Sequence, residues 1–301
     1  MTDTLFSHDD SVAAGQVVQV EPLVRRVVGP NPGPYTYTGT CTYLVGDDEV
    51  AIIDPGPDDP GHLAILLDAT AAGRRVSHIV VTHTHRDHTA GVEALRAATG
   101  APVVGCAPHF SARALQVFER NEAAADLDYA PDRVLADGDR VSGKGWTLAA
   151  VATPGHTANH LAFALEENGA LFSGDHVMAW STTLVAPPDG SMAAYMAALA
   201  SLRERDDRIY WPGHGGPVVD PRRYVRGLLS HRRQREASIL ARIEAGDTTI
   251  PEIVDKLYAG IGPELRGGAS LSVLAHIESL VADRQVESDG PVRPDGRFRR
   301  R

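Results

Sequence analysis

Cysteine and lysine are scarce in this 301-residue chain. Cys41 and Cys106 are the only thiols, and Lys144 and Lys256 the only lysines. Two cysteines exclude a disulfide framework and a cysteine-based zinc site; both read as reduced thiols, with Cys106 buried. No run of roughly 18 apolar residues occurs, which excludes a helical membrane span. The segment Met1 to Asp10 is polar and acidic. It lacks the basic start and apolar stretch of a secretory signal, so a cytoplasmic location is expected. Internal repeats are absent, and so is the Gly-x-Ser-x-Gly elbow of a serine hydrolase. Positive charge is also short: the net charge is −10. Residues 1–220 hold 28 acidic and 14 basic residues, whereas 221–301 hold 11 acidic and 15 basic. The main body therefore does not suit a polyanion, while the C-terminal part can.

Hydrophobic residues make up 43% of the chain, enough for a large core. Short apolar segments broken by Gly and Pro predict strands at 17–20, 23–28, 42–45, 50–53, 78–81, 148–152, 161–165, 170–173 and 209–211. Helices are predicted near 61–72, 92–98 and 192–203. Around Pro221 the character changes. An Arg-rich helix is expected over Pro221–Ala245, then helices near Pro251–Tyr258 and Ser270–Asp283. The tail from Asp289 to Arg301 reads as a β wing followed by a frayed end.

The chemistry concentrates in His83-Thr84-His85-Arg86-Asp87-His88. On an extended segment, alternate side chains point the same way, so His83 and His85 can grip one metal. If the chain then turns into a helix, Asp87 and His88 can face a second position. Three more candidates follow predicted strands: His156 in Thr153-Pro154-Gly155-His156-Thr157, Asp175 in Ser173-Gly174-Asp175, and His214 in Pro212-Gly213-His214-Gly215. Imidazole and carboxylate are the donors of open catalytic zinc sites.

In this order, over roughly residues 31–220, these segments resemble the metallo-β-lactamase superfamily. The resemblance implies an α/β fold, a four-layer αββα sandwich with two divalent metals at one edge. It places His83, His85 and His156 on the first metal, and Asp87, His88 and His214 on the second, with Asp175 bridging. Zinc is the expected ion; iron and manganese also suit the donors. Narrower signatures are Asn31-Pro32-Gly33-Pro34, Gly39 to Gly46, Pro154 to Thr157, Tyr210 to Gly215, and Ser230-His231-Arg232. They resemble the β-lactamase-like protein 2 family, which implies a catalytic domain over 1–220 and a long helix plus winged-helix-like domain over 221–301. Cys41 stands where that family usually has Asn, and packing is its plainer role.

Metals a few Å apart can share a water and lower its pKa from near 16 toward about 7. Asp87 is the residue expected to orient this nucleophile and accept its proton. Asp54 resembles the family position that orients a metal-bound His, or else caps a turn. His160 lines the pocket or is a hydrogen-bonded structural His, and His176 points away. Arg86 contacts substrate or a neighbouring acid, and Ser181-Thr182-Thr183 can form a substrate-facing loop. His8, His62, His78, His109 and His276 read as surface or structural.

An ester or thioester of a small or carrier-bound acyl group is the favoured substrate. The alternative is an endoribonuclease on single-stranded RNA, with Arg222, Arg223, Arg226, Arg232, Arg233 and Arg235 on phosphates. A β-lactamase is less expected, because the second metal set lacks cysteine. A non-catalytic nucleic-acid-binding module is disfavoured by the complete ligand set and by the few basic residues of the 270–283 helix. That helix is expected to brace the main domain or a partner in a homodimer.

Overall fold

The computed structural model describes residues 5–8, 11–71, 73–117, 119–121 and 124–301. Among them, one sheet runs in the order Val17–Glu21 (β1), Val24–Val28 (β2), Cys41–Val45 (β3), Glu49–Ile53 (β4), Arg75–Val81 (β5), Val103–Gly105 (β6) and Arg133–Val134 (β7). Pairing is antiparallel from β1 to β4 and parallel from β4 to β7. Helix Pro60–Ala69 (α1) connects β4 to β5; Arg86–Thr89 (α2) and Val92–Thr99 (α3) connect β5 to β6. The second sheet is an antiparallel run of Arg140–Gly143 (β8), Trp146–Ala152 (β9), Leu161–Leu165 (β10) and Ala170–Gly174 (β11). After helix Met192–Arg203 (α4), strand Ile209–Pro212 (β12) joins it parallel to β11.

Side-chain alternation explains why the second sheet lies between two layers. Phe163 of β10, Phe172 of β11 and Trp211 of β12 face a core shared with the first sheet, where Tyr43 packs 5.0 Å from Phe172. Their neighbours Ala162, Leu171 and Tyr210 face outward onto Tyr195, Leu199 and Leu202 of α4. With α1 and α3 against the other sheet, the layers read α, β, β, α, as expected.

Three strands escape the sequence reading for one reason. β6, β7 and β8 hold three, two and four residues, too few to show a two-residue period. The helix expected over 61–72 ends at Ala69, where the Thr70 hydroxyl donates back to Leu66 and Leu67 carbonyls. Ala72 lies outside the described residues.

Helix Pro221–Glu244 (α5) spans two cores. Val225, Leu228 and Leu229 pack with α4, whereas Ile239 and Ile243 join a separate cluster. That cluster is built by Ile250–Leu257 (α6), Arg266–Ala282 (α7) and a hairpin of Val286–Ser288 (β13) with Phe298–Arg300 (β14). α6 opens with a capping box between Thr249 and Glu252. The frayed end does not occur. Phe298 is buried, and Arg299 pairs with Glu287 and Asp289, which holds the last strand down. α7 is buried through Ser272 to Ile277 and packs on α4 and α5, so it braces rather than reads a groove. Among the described residues no helix is long and apolar enough to cross a membrane.

Candidate metal centre

Four strand ends converge on one edge of the sandwich. β5 runs into Thr82–His85, and α2 starts at once, with extended His85 as its N-cap and Asp87 and His88 in its single turn. β9 leads to His156 across Gly155, whose φ is +141°. A Cβ at Gly155 would lie 2.4 Å from the Cα of Tyr195, so only glycine lets this turn tuck under α4. β11 ends on Gly174 before Asp175, and β12 on Pro212 before Gly213 and His214.

All seven predicted side chains meet there. Ligand atoms of His83, His85, His156 and Asp175 lie within 4.8 Å of one another, and so do those of Asp87, His88 and His214. Asp175 reaches both sets: its Oδ2 is 3.7 Å from His156 Nε2 and 3.3 Å from His214 Nε2, and its Oδ1 is 3.5 Å from His88 Nε2. Asp87 Oδ2 lies 3.2 Å from His214 Nε2 and 3.4 Å from His88 Nε2. His156 Nε2 is 3.0 Å from His85 Nδ1. Six of the seven residues are buried, whereas the Asp87 side chain is 26% exposed and marks the open side.

The donors fit divalent cations because their tautomers are set from behind. Thr82 gives its hydroxyl proton to Asp54, 2.7 Å away, and so can only accept from His83 Nδ1 at 2.9 Å. Asp54 also accepts from His88 Nδ1 at 2.9 Å. The carbonyl of Leu184 accepts from His156 Nδ1 at 2.7 Å, and that of Gly39 from His214 Nδ1 at 3.3 Å. These four rings therefore face the cluster through Nε2, which binds a metal once it carries no proton, whereas His85 faces it through Nδ1. Nε2 of His83, Nε2 of His88 and Oδ1 of Asp175 are buried with no hydrogen-bond partner, a costly arrangement unless a cation completes it.

Charge is strongly coupled here. Burial alone would raise Asp87 and Asp175, but His88 and His214 hold both well below the usual carboxylate range. Burial alone would lower His88 and His214, but the carboxylates of Asp87 and Asp175, with Asp54 at His88, push His88 well up and His214 to about 10. Both rings are thereby pushed toward their protonated forms, so a cation has to compete with protons for them. Cation uptake at pH 7 is therefore expected to release protons, and its apparent affinity to rise with pH toward about 10. Calorimetry in buffers of different ionisation enthalpy measures this; uptake without proton release would contradict the assignment.

Asp54 takes the orienting role, at φ +50° and with both carboxylate oxygens engaged. His160 is structural. Its Nε2 accepts from the Asp175 N–H, and its Nδ1 meets the Thr153 hydroxyl. His176 points away, its ring 4.6 Å from that of Tyr195, and burial pushes it down to about 3. The 181–183 loop is not a substrate surface at Thr183, which is buried with its hydroxyl on the Asp175 carbonyl. Cys41 is buried, its thiol pushed up by burial, and its N–H donates to Gly213 O. The proposed phosphate contacts lose half their number. Arg222 pairs with Asp206, Arg232 is buried, and Arg235 lies over the Tyr258 ring. Thr40 and Thr82 escaped the sequence reading. The Thr40 hydroxyl lies 3.2 Å from Asp87 Oδ2 and accepts from the Asn31 amide at 2.9 Å, which leaves its own proton for Asp87.

Comparison with known proteins shows the family. Residues 35–214 match the metallo-beta-lactamase superfamily, and residues 249–293 the beta-lactamase associated winged helix domain. The atrochrysone carboxyl ACP thioesterase dmxR1 of Cryptosporiopsis sp. is 30% identical, over 92% of this chain and 83% of its own. The beta-lactamase-like protein 2 homolog of Caenorhabditis elegans is 30% identical over 90% of both chains. The crystal structure of a beta-lactamase domain protein from Burkholderia ambifaria superposes with a TM-score of 0.81 at 20% identity, covering 100% of this chain and 99% of that one. The chain belongs to the metallo-beta-lactamase superfamily of metal-dependent hydrolases and carries that superfamily's winged helix domain behind the catalytic fold.

Proposed function

We propose that this chain is a binuclear hydrolase of thioesters, with carrier-bound acyl groups as the substrate class. One observation supports it above the rest: the Asp175 carboxylate lies within 3.7 Å of donor nitrogens in both ligand sets, where it can bridge two cations. His83, His85 and His156 would hold one, and Asp87, His88 and His214 the other. Bound divalent cations supply a Lewis-acid pair that lowers the pKa of water and polarises a carbonyl; zinc is favoured by the imidazole-rich donors.

The chain's own residues do the rest. Asp87, on the open side, accepts the proton that water loses as it attacks the acyl carbon. Thr40, held by Asn31, keeps that carboxylate in place. As the C–S bond breaks, the same proton returns from Asp87 to the departing sulfur. The thioesterase reading draws on the relative named above, similar over nearly the whole chain.

The test is a screen of the metal-loaded protein on an acyl thioester, an oxygen ester, nitrocefin, bis-p-nitrophenyl phosphate and a labelled single-stranded RNA. Thiol release from the thioester is expected to be fastest and to vary little with salt. It should vanish on chelation and return with zinc. Fast RNA cleavage that weakens steeply between 50 and 200 mM salt, as counterion release demands, would replace this reading.

A further inference from the structure

Arg232 of α5 is 2% exposed, and among the described residues no carboxylate pairs with it. Its Nη2 donates to the carbonyl of Thr183, its Nη1 lies 3.5 Å from the Ser272 hydroxyl of α7, and its guanidinium sits 5.1 Å above the Tyr195 ring. Burying a guanidinium without a carboxylate is expensive, and an apolar residue of similar volume is often as stable or more so. Stability alone therefore does not account for arginine here.

What arginine touches leads directly to the metal ligands. The Thr183 hydroxyl donates to the carbonyl of Asp175. The next carbonyl, of Leu184, accepts the Nδ1 proton of His156 at 2.7 Å. The Tyr195 hydroxyl under the guanidinium donates to His176 O at 3.2 Å, one residue past Asp175. One cation thus fixes the segment that aims both His156 and Asp175, and α7 holds that cation from the far side.

We propose that Arg232 is a positioning residue of the metal centre, through which the C-terminal helices set the geometry of His156 and Asp175. This rests on the binuclear reading above. A methionine at 232 fills the volume but leaves the buried Thr183 carbonyl unpaired. The 183–184 segment then turns to find a donor, and Leu184 O leaves His156. Partners of this kind, one step behind a ligand, typically carry about 10- to 100-fold in metal affinity.

The experiment is a cobalt(II) titration of the metal-stripped full chain, read by visible absorbance, with circular dichroism and a thermal melt of each metal-free protein. Arg232→Met is expected to melt like the wild type but to bind cobalt about 10- to 100-fold more weakly, with kcat reduced and KM held. Arg232→Lys, which still donates to Thr183 O, should recover part of the loss. Arg233→Met, on the exposed side of α5, should match the wild type. Wild-type cobalt affinity in Arg232→Met overturns the inference. So does an affinity loss that only tracks a lowered metal-free melt and that lysine does not relieve. If Arg232→Met does not fold, Thr183→Val keeps the carbonyl that Arg232 holds but removes the next step, the hydroxyl on the Asp175 carbonyl; it must lose cobalt affinity, and wild-type affinity there overturns the inference. A wild-type protein that takes up no cobalt would instead sink the metal-centre reading itself.

Discussion

Asp87→Asn is expected to fold as the wild type does and to lose about 10²- to 10⁴-fold in thioester turnover, the usual span for removing a proton-transfer group. The substitution keeps shape and the oxygen that Thr40 reaches. It removes the negative charge and the capacity to take a proton. Asp87 is the most exposed of the seven side chains, so little packing is lost. The loss of charge falls on His88 and His214, 3.4 and 3.2 Å away, which Asp87 helps hold protonated in the metal-free state. Metal affinity should fall with turnover, while the thermal melt of the metal-free protein moves little. Full turnover in Asp87→Asn would remove the residue from its role. His85→Ala is the companion variant: its loss should follow metal occupancy alone.

The seven side chains were legible in the sequence because each stands where chain geometry is simple. His83 and His85 alternate on an extended segment, and Asp87 and His88 share one helical turn. His156 and His214 follow glycine turns that no bulkier residue permits, and Asp175 follows Gly174. The same simplicity made β9 to β12 visible, since their alternation separates two cores.

The supporting groups were not legible, for a physical reason. Thr40 acts on Asp87 across 47 positions, and Asn31 acts only through Thr40. Leu184 contributes a carbonyl, which no side-chain pattern announces. Arg232 reads in the sequence as one of six arginines open to phosphates, because α5 carries basic residues on several faces. Its neighbour Arg233 is exposed, whereas Arg232 is enclosed by α4, α7 and the 183 carbonyl. A helical period distinguishes faces only when apolar residues mark them, and a buried arginine carries no such mark.

Gly213→Ala is expected to abolish binding of the proposed metal pair while leaving the fold in place. An ideal Cβ at 213 lies 2.3 Å from Asp175 Oδ1 and 2.7 Å from His88 Cε1. No atom pair tolerates such distances, so something must move. The backbone cannot retreat easily, because Gly213 donates to Gly174 O at 2.8 Å and accepts from Cys41 N at 2.7 Å. The side chains yield instead: the Asp175 carboxylate swings off one ligand set and His88 is pressed against Asp54. A displacement of about 1 Å at a reacting site can cost on the order of 10²-fold in rate, and losing the carboxylate proposed to bridge should cost more. Gly138→Ala provides the control. Its φ of +80° strains alanine by about 1–2 kcal/mol, but nothing lies within 4 Å of the new methyl, so metal content and turnover should hold. Metal analysis and thiol release on the two variants separate a local steric effect from the general penalty of replacing glycine. Normal metal content and turnover in Gly213→Ala would mean that Asp175 does not stand between the two ligand sets.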